Sequence, residues 1–367
     1  MLRREFSHRR TLLHQAEPIR ITALIDTYNC AHFIEEAIDS VLAQDFPPEL
    51  MEILVVDDGS ADNTADRIRK YGDRIQYLRK SNGGQASALN FGITRARGEI
   101  VAFLDGDDYW LPDKLRRVAA EFEKHPEAGM VYHNFFCKQG TMPDLVPATG
   151  LAGFSGFLAD NRKTFLAYDL YPTATLAFRR NVLQRLLPIP ERLIVQADAH
   201  LSACVIFVAP IVFIDQPMTV YRVHAENMWN CALNTPPGRN IFEGDLADKA
   251  RMQRRVSTTR AIEDGVREWL EKNGFDVNRP DFRAFLMQWT ISSRVGEFVL
   301  SPPGRLRFFR HLLEQSWYSR TRVTWRHLVV NYANAFVSLF VGYRSFYRLD
   351  EWRLAVKRSL RSALGRS

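Results

Sequence analysis

The chain has 367 residues, of which 46% are apolar and 25% are charged. This length allows one large α/β domain with an appendage, or two domains, and the composition excludes a mostly disordered or collagen-like chain. The formal net charge is +7, yet residues 301–367 hold 13 Lys and Arg against three acids, a local charge of +10 that leaves −3 for the rest. The basicity therefore belongs to the C-terminal region, where it indicates either an anionic partner or a solvated helical face.

Cysteine usage and hydropathy point to a cytoplasmic protein. The four cysteines form no Cys-x-x-Cys pair, which is typical of reduced thiols. No apolar run reaches about 18 residues, so no spanning helix is predicted. Residues 1–20 are basic but lack the apolar segment of a secretory signal.

Strand and helix patterns alternate along the first 230 residues. Short β-branched runs predict strands, and apolar residues at helical spacing predict the segments between them as helices. The predicted strands cover residues 19–25, 51–56, 75–79, 99–104, 171–178 and 210–215, and the predicted helices cover 31–44, 61–71, 85–97, 111–124 and 198–208. This alternation predicts an α/β fold with a largely parallel sheet and helices on both faces.

The pattern changes after the Thr-Pro-Pro-Gly segment at 235–238, and the remaining sequence is helical and rich in charge. We therefore expect three parts: a basic extension over residues 1–18, an α/β domain over 19–234, and a helical, basic region over 235–367. Within the last part, residues 328–349 are apolar and aromatic and are flanked by arginines. Such a segment either lies in the interface of an anionic membrane or packs on the body of the protein.

Acidic residues follow three of the predicted strands. They are Asp26 after the first, Asp57 and Asp58 after the second, and Asp105, Asp107 and Asp108 after the fourth. The carboxyl ends of parallel strands meet at one sheet edge, where ligands bind in such folds. So many carboxylates at one edge repel each other unless a cation or hydrogen-bond donors offset the charge. Asp105 and Asp107 are two positions apart, a spacing at which both reach one hard divalent cation and the phosphates that it holds.

Five segments, in this order, resemble the motifs of family 2 glycosyltransferases. They are DTYN at 26–29, VVDDGS at 55–60, NGGQ at 82–85, NFG at 90–92 and FLDGDD at 103–108. The resemblance covers residues 19–126 and continues more weakly to residue 227. It implies a GT-A type fold, which binds a nucleotide-sugar on a mostly parallel, Rossmann-like sheet, here followed by a helical C-terminal appendage. The family commonly has proline at the position of Asp26, so the turn at this point departs from its pattern.

The resemblance also implies roles for individual residues. Residues of the donor pocket are Asp26, Tyr28, Asp58, Asn82, Gly83, Gly84, Asp105 and Gly106. Asp58 is implied to accept from the nucleotide base and Asp105 to lie near the ribose and the water shell of the metal. Asp107 is implied to bind Mn²⁺ or Mg²⁺ directly, and His224 either completes that metal site or is a hydrogen-bonded loop residue. Arg222 pairs with phosphate or with a surface carboxylate.

Asp198 lies where the family usually has an acid, near the start of a predicted helix. An inverting transfer needs a base that takes the proton of the acceptor hydroxyl, and a carboxylate at this position can do so. Alternatively, Asp198 is only the N-cap of the helix.

The predicted function is therefore the transfer of one sugar, with inversion and with a metal ion, from a nucleotide-sugar to a hydroxyl of a glycan or lipid-linked acceptor. By analogy with the family, the donor is expected to be UDP-linked. The pathway implied is polysaccharide or lipid-linked glycan assembly. Neither the Gln-x-x-Arg-Trp segment nor the spanning helices of processive members are present. The alternatives are a non-catalytic nucleotide-sugar-binding or scaffold protein, and a nucleotidyltransferase, which would need a Gly-rich basic loop that the N-terminal region lacks.

No nucleic-acid partner is expected, since no motif typical of nucleic-acid binding is found. We expect a cytoplasmic location, with peripheral contact at the inner face of the cell membrane as one alternative.

Overall fold

A computed structural model describes residues 19–139, 145–148, 153–157, 171–224, 249–319 and 329–341. The predicted N-terminal extension and the predicted boundary between residues 234 and 235 lie outside these ranges. The strands are β1 Ile21–Thr27, β2 Met51–Asp57, β3 Gln76–Arg79, β4 Ile100–Asp105, β5 Tyr109–Trp110, β6 Met130–His133, β7 Phe136–Gln139, β8 Val146–Pro147, β9 Leu176–Arg179, β10 Ile211–Ile214 and β11 Thr219–Val223.

The helices surround and extend the strands. Of the helices within the described ranges, six belong to the first part of the chain: α1 Ile34–Leu42, α2 Thr64–Arg69, α3 Gln85–Ile93, α4 Lys114–Lys124, α5 Arg180–Gln184 and α6 Ala197–Val205. Four follow in the C-terminal part: α7 Lys249–Lys272, α8 Pro280–Leu300, α9 Arg305–Ser319 and α10 over residues 329–341.

The main sheet has, in the described ranges, seven strands in the order β10-β6-β9-β4-β1-β2-β3. All neighbours pair in parallel except β9, which is antiparallel to both β4 and β6. Successive residues of a strand point to opposite faces. On β1, Leu24 packs into the layer that contains α3 and α6, whereas Ile25 packs into the layer that contains α1 and α4. The prediction of a largely parallel sheet with helices on both faces is therefore confirmed.

A smaller sheet, in the order β5-β11-β7-β8, lies beside the main one. Strand β5 follows directly after the Asp105–Asp108 turn, and β11 pairs with it in antiparallel fashion, Thr219 opposite Trp110. This pairing brings the end of β11 back to the acidic turn.

The helices α7 and α8 share the core of the α/β body. Trp269, Phe285 and Trp289 belong to the same apolar cluster as Leu24 and the sheet residues around it. By contrast, α9 and α10 add a small separate cluster that contains Phe298, Phe308, Leu312 and Ala335. None of the helices in the described part of the chain combines the length and apolar character that a membrane crossing requires.

The predicted strand at residues 171–178 is wrong in its first half. Residues Thr173–Thr175 form a 3₁₀ turn, and β9 begins only at Leu176. Pro172 explains the difference, because its carbonyl accepts from both the backbone N–H and the hydroxyl of Thr175, which closes the turn. Other boundaries shift by a few residues; α4, for example, begins at Lys114, after Pro112 rather than around it.

Candidate active site

The three acidic segments meet at one edge of the main sheet. Strands β1, β2 and β4 are parallel and in register, so that Asp26 lies opposite Asp105 on one side and Thr27 lies opposite Asp57 on the other. Their carboxyl ends therefore open toward the same space, which is the ligand-binding edge of this class of sheet.

The adjacent residues Asp57 and Asp58 have different surroundings. Asp57 is fully buried, and its carboxylate accepts from the Ser60 backbone N–H at 2.8 Å and the Tyr77 hydroxyl at 2.7 Å, which fastens the turn after β2. Asp58 accepts from the backbone N–H groups of Gly83 and Gly84, the latter at 2.7 Å, and from Lys80 Nζ at 2.7 Å. Asp58 thus holds the glycine loop at the edge of the site.

Other residues predicted for the donor pocket lie around this loop. Asn82 is exposed, and Tyr28, with 43% of its surface exposed, follows the end of β1. Gly84 has φ +84°, and a Cβ there would lie 2.7 Å from Ile194 Cα. The glycine pair was predicted to allow a close approach to the backbone. At Gly84, the group that comes close is the segment of this chain that leads to α6.

Asp105 and Asp198 are connected by Gln85, which begins α3. Gln85 Nε2 donates to Asp105 Oδ1 and to Thr173 Oγ1, both at 3.1 Å. Gln85 Oε1 accepts from the backbone N–H of Ala197 at 3.0 Å, at the start of the helix that carries Asp198. The residues predicted as donor-binding and catalytic are thus joined through a side chain that sequence reasoning did not assign.

The carboxyl groups of this edge hold their protons more strongly than usual. Burial, together with Asp107, raises the pKa of Asp26 to about 8. Burial and Asp26 likewise raise the pKa of Asp105 well above its usual range. Burial also raises the pKa of Asp198, to about 6. These carboxylates therefore favour a bound cation, because positive charge would offset the repulsion between them.

His224 and Asp107 lie side by side at the mouth of the edge. His224 Nε2 is 3.1 Å from Asp107 Oδ2, and the ring of Phe33 lies tilted against the imidazole, with 4.6 Å between the ring centres. Arg222 fixes the turn that contains Asp107 and Asp108, because its backbone N–H donates to Asp108 Oδ1 at 2.9 Å and its guanidinium donates to the Asp107 carbonyl at 2.6 Å. The same guanidinium pairs with Glu36. Pairing with a surface carboxylate, one of the two partners predicted for Arg222, is therefore observed, and pairing with phosphate stays a prediction.

The donor set suits the divalent cation that the family resemblance implies. Asp107 offers a carboxylate and His224 an imidazole, ligands that Mn²⁺ and similar ions accept. Asp26 Oδ1 adds a buried oxygen that has no hydrogen-bond partner among the described residues. Across those same residues, no group of three or more His, Cys, Asp or Glu side chains is arranged as a cation site.

Lys114 is a buried cation that the sequence analysis missed. It is fully buried, with Nζ 2.5 Å from the Ala174 carbonyl and 4.0 Å from the Trp110 ring. Burial lowers the pKa of Lys114 well below its usual value, while the nearby Asp105 and Asp108 act in the opposite direction. A sequence signal existed, because Lys114 shares the four-residue spacing of Val118 and Phe122 on the buried face of α4.

Comparison with known proteins shows which family part of this chain is similar to. Residues 22–187 match the family described as glycosyl transferase family 2. The chain is 34% identical over 215 residues to the uncharacterized glycosyltransferase alr2836 of Nostoc sp. PCC 7120, covering 57% of this chain and 66% of the relative, just under two thirds. It is 29% identical over 269 residues to the uncharacterized glycosyltransferase RP339 of Rickettsia prowazekii, covering 70% and 81%.

Among solved structures, that of S. aureus TarS 1–349 in complex with UDP is similar, with a TM-score of 0.54 and 20% sequence identity. The similarity covers 86% of this chain and 90% of the TarS chain. At this identity, the comparison establishes that the two proteins share a fold.

Proposed function

We propose that this chain, whose residues 22–187 match the family described as glycosyl transferase family 2, is a glycosyltransferase that transfers a single sugar from a nucleotide-sugar to a hydroxyl acceptor, with inversion and with a divalent cation. The observation that carries this proposal is the position of Asp198, whose carboxylate is stabilised by Thr173, while Thr173 and Asp105 both accept from Gln85 Nε2. In this proposal the donor site at the acidic edge and the candidate base face one another. The donor that we propose is UDP-linked, as the family resemblance implies.

The donor is held by the residues of the sheet edge. In this proposal Asp26, Asp58, Asp105 and the Gly83–Gly84 backbone contact the nucleoside, and Asp107 and His224 hold the cation that binds the diphosphate. A cation bound there would neutralise the charge that develops on the diphosphate as the sugar leaves. Arg222 supports this arrangement by fixing the backbone of Asp107 and the side chain of Asp108.

Asp198 acts as the base in this proposal. Its carboxylate takes the proton of the acceptor hydroxyl, while the hydroxyl oxygen forms a bond to the anomeric carbon from the face opposite the diphosphate. The bond between that carbon and the diphosphate oxygen breaks in the same step, so the configuration inverts. A pKa of about 6 leaves Asp198 largely ionised at neutral pH, which suits this role.

The alternative role of Asp198 as an N-cap has little support in the geometry. The N-cap of α6 is Gln196, in the left-handed region at φ +61°, and Asp198 lies in the first helical turn. The Ala197 N–H is satisfied by Gln85, and the carboxylate of Asp198 accepts, within the described part of the chain, from its neighbour Ala199 at 2.8 Å and is stabilised by Thr173. An acid in the first turn of a helix is stabilised by the helix dipole, which also favours its ionised form.

The experiment that tests the proposal measures nucleotide release and sugar transfer by the full-length chain. UDP-glucose, UDP-galactose, UDP-N-acetylglucosamine and GDP-mannose serve as donors and alkyl glycosides as acceptors, each with Mn²⁺, with Mg²⁺ and with EDTA. We expect transfer only with a cation, and proton NMR of the product should show the inverted anomer. Retention of configuration would contradict the mechanism, and nucleotide-sugar binding without any turnover would favour the non-catalytic alternative.

We further propose that α10 docks the enzyme on an anionic membrane, near a glycan or lipid-linked acceptor. Five large apolar side chains of this helix are exposed: Val329, Val330, Phe336, Val337 and Phe340. They account for half of the exposed large apolar side chains in the described ranges. Phe340 is 76% exposed, whereas Ala335 and Ser338 are buried against the rest of the protein. The helix therefore packs with its small residues and leaves its large ones outside.

Basic residues surround this apolar face. Arg305, Arg307 and Arg310 are exposed on the neighbouring helix α9, which contacts α10 through Phe309 and Phe336 at 5.5 Å between ring centres. The sequence beyond the helix adds more arginines than acids. Apolar surface beside a basic rim is typical of segments that lie in the membrane interface, and each basic residue near an anionic leaflet contributes about 1 kcal/mol.

Vesicle co-sedimentation tests this docking with the full-length protein. Phe340→Asp and Val330→Asp should abolish binding to vesicles that contain phosphatidylserine, and binding of the unaltered chain should weaken at high salt. Val146→Asp is the matched control, since Val146 is 58% exposed but lies on β8, away from the helix. Absence of binding by the unaltered chain, or equal binding by all variants, would refute the membrane proposal and favour another cover for this face.

A further inference from the structure

We propose that Gln85 is a positioning residue that sets the distance between the donor side of the site, at Asp105, and the candidate base Asp198. This inference rests on the proposed role of Asp198. In this proposal, one amide holds the end of β4 and the start of α6 at a fixed distance from each other, although the two elements come from distant parts of the chain.

The three hydrogen bonds of Gln85 fix the orientation of its amide. Its oxygen faces the backbone N–H of Ala197, which can only donate, and its nitrogen therefore points to Asp105 Oδ1. Rotating the amide by half a turn would set oxygen against carboxylate and N–H against N–H. The side chain is therefore held in one orientation, with both of its polar atoms used.

Helix α3 and the chain around the start of α6 satisfy each other's free N–H groups at this point. The first N–H groups of a helix have no partner inside it. Those of Gln85 and Ala86 in α3 donate to the carbonyls of Ile194 and Leu193, at 2.8 and 3.2 Å. The Ala197 N–H of α6 donates to the side chain of Gln85, since the N-cap residue Gln196 makes no side-chain cap of its own. The first N–H group of α6 is therefore satisfied by α3.

A second route runs from Gln85 to the base through Thr173. The Thr173 hydroxyl accepts from Gln85 Nε2, and the hydroxyl and backbone N–H of Thr173 stabilise the ionised carboxylate of Asp198, acting against the rise in its pKa. Gln85 and Thr173 thus lie between Asp105 and Asp198. Because in-line attack depends on the placement of the base, a displacement of about 1 Å costs roughly 10²-fold in rate.

Gln85→Met tests the proposal, because methionine keeps the length of the side chain and removes all three hydrogen bonds. Gln44→Met is a closely matched control. Gln44 also uses both polar atoms of its amide, donating to the carbonyls of Ser40 and Leu111 and accepting from the N–H of Leu115 near the start of α4. Both substitutions should lower Tm to a similar extent, but only Gln85→Met should affect the position of Asp198.

We expect Gln85→Met to lower kcat by about 10²-fold, with the donor KM and the affinity for UDP and Mn²⁺ changed by no more than about threefold. Gln44→Met should keep kcat. Hydrogen exchange should show faster exchange at the first turn of α6 in Gln85→Met alone, a readout that does not depend on turnover. Equal kcat in the two variants, or unchanged exchange at α6, would overturn the proposal.

A double-mutant cycle separates the two routes. Thr173→Val removes the hydroxyl and keeps the shape, whereas Thr173→Ser keeps the hydroxyl and should retain most of the activity. If Gln85 acts through Thr173, the double variant should lose less kcat than the product of the fold-losses measured for Gln85→Met and Thr173→Val alone. Asp198→Asn distinguishes the failure of this proposal from that of the proposed function. If Asp198→Asn is inactive and Gln85→Met is fully active, only the positioning role is wrong; if Asp198→Asn is fully active, the assignment of the base is wrong.

Discussion

His224 Nε2 lies 3.1 Å from Asp107 Oδ2, although 117 positions separate the two residues in the sequence. The pairing of β11 with β5 produces this contact, because β5 begins two residues after Asp107 and β11 ends one residue before His224. A carboxylate and an imidazole at this distance, facing the edge where the acidic residues converge, form the pair of side chains through which we expect a cation to act.

Replacing either member of this pair should remove metal-dependent activity. For Asp107→Ala and His224→Ala we expect transfer to fall by more than about 100-fold, since the charge stabilisation that a cation supplies amounts to several kcal/mol. Calorimetric titration of Mn²⁺ into the protein with UDP should show weakened binding in both variants, with unchanged Tm. His125→Ala is the control. His125 also lies near acids, Glu121 and Glu127, but it follows the C-terminal end of α4, whereas the site lies near the start of that helix. Full activity of the unaltered chain in EDTA would contradict the metal role.

Asp198→Asn should separate binding from chemistry. Asparagine keeps the shape of the side chain and cannot take a proton, so we expect kcat to fall by about 10²-fold or more while the affinity for UDP stays near normal. Asp281→Asn is the matched control, since Asp281 also lies in the first turn of a helix, α8. If kcat in Asp198→Asn stays at the level of the control, Asp198 only stabilises its helix.

Asp26 should make the protein less stable as pH rises. Its pKa is about 8 in the folded protein, against an ordinary value of 3.8, because of burial and the charge of Asp107. Between these values the folded state binds more protons than the unfolded state, so the free energy of unfolding decreases with increasing pH. Without a divalent cation, Tm should therefore fall from about pH 5 to pH 8.

Asp26→Asn should flatten this dependence and raise Tm at pH 8, because the amide carries no charge to desolvate. Thermal scans in EDTA across this pH range measure the effect. The exposed residue Asp66, changed to Asn, is the control that should leave the slope unaltered. A Tm that rises with pH in the unaltered chain, or equal slopes in Asp26→Asn and the unaltered chain, would show that Asp26 is not the group responsible.

Gly106 should tolerate no side chain. A Cβ at this position would lie 2.5 Å from Thr27 Oγ1 and 2.7 Å from Thr27 Cβ, at the end of β1. We expect Gly106→Ala to cost about 1–3 kcal/mol of stability and to displace the carboxylates on either side, so that activity also falls. Gly304→Ala is the control, because a Cβ there meets nothing within 4 Å. Chemical denaturation measures both, and equal stability of the two variants would contradict the packing argument.

The sequence by itself determined the alternation of strands and helices and the acidic residues at the strand ends. Both depend on local chemistry. Buried parallel strands such as β1 and β4 need continuous apolar runs, and the residues that follow them, Asp26 and Asp105, are fixed to the same edge once the strands are parallel. The position of Asp198 near a helix start was also readable, because it depends on the spacing of neighbouring residues.

Only the tertiary structure decided which polar atoms face the site and which hold the fold. Sequence spacing does not distinguish Asp57, which fastens a turn, from its neighbour Asp58, which holds the glycine loop. The partners of Gln85 lie 20, 88 and 112 positions away, and those of Arg222 lie more than 100 positions away. Such contacts depend on how strands cross over and pair, since hydrogen bonding requires atoms within about 3 Å and no local pattern encodes that distance.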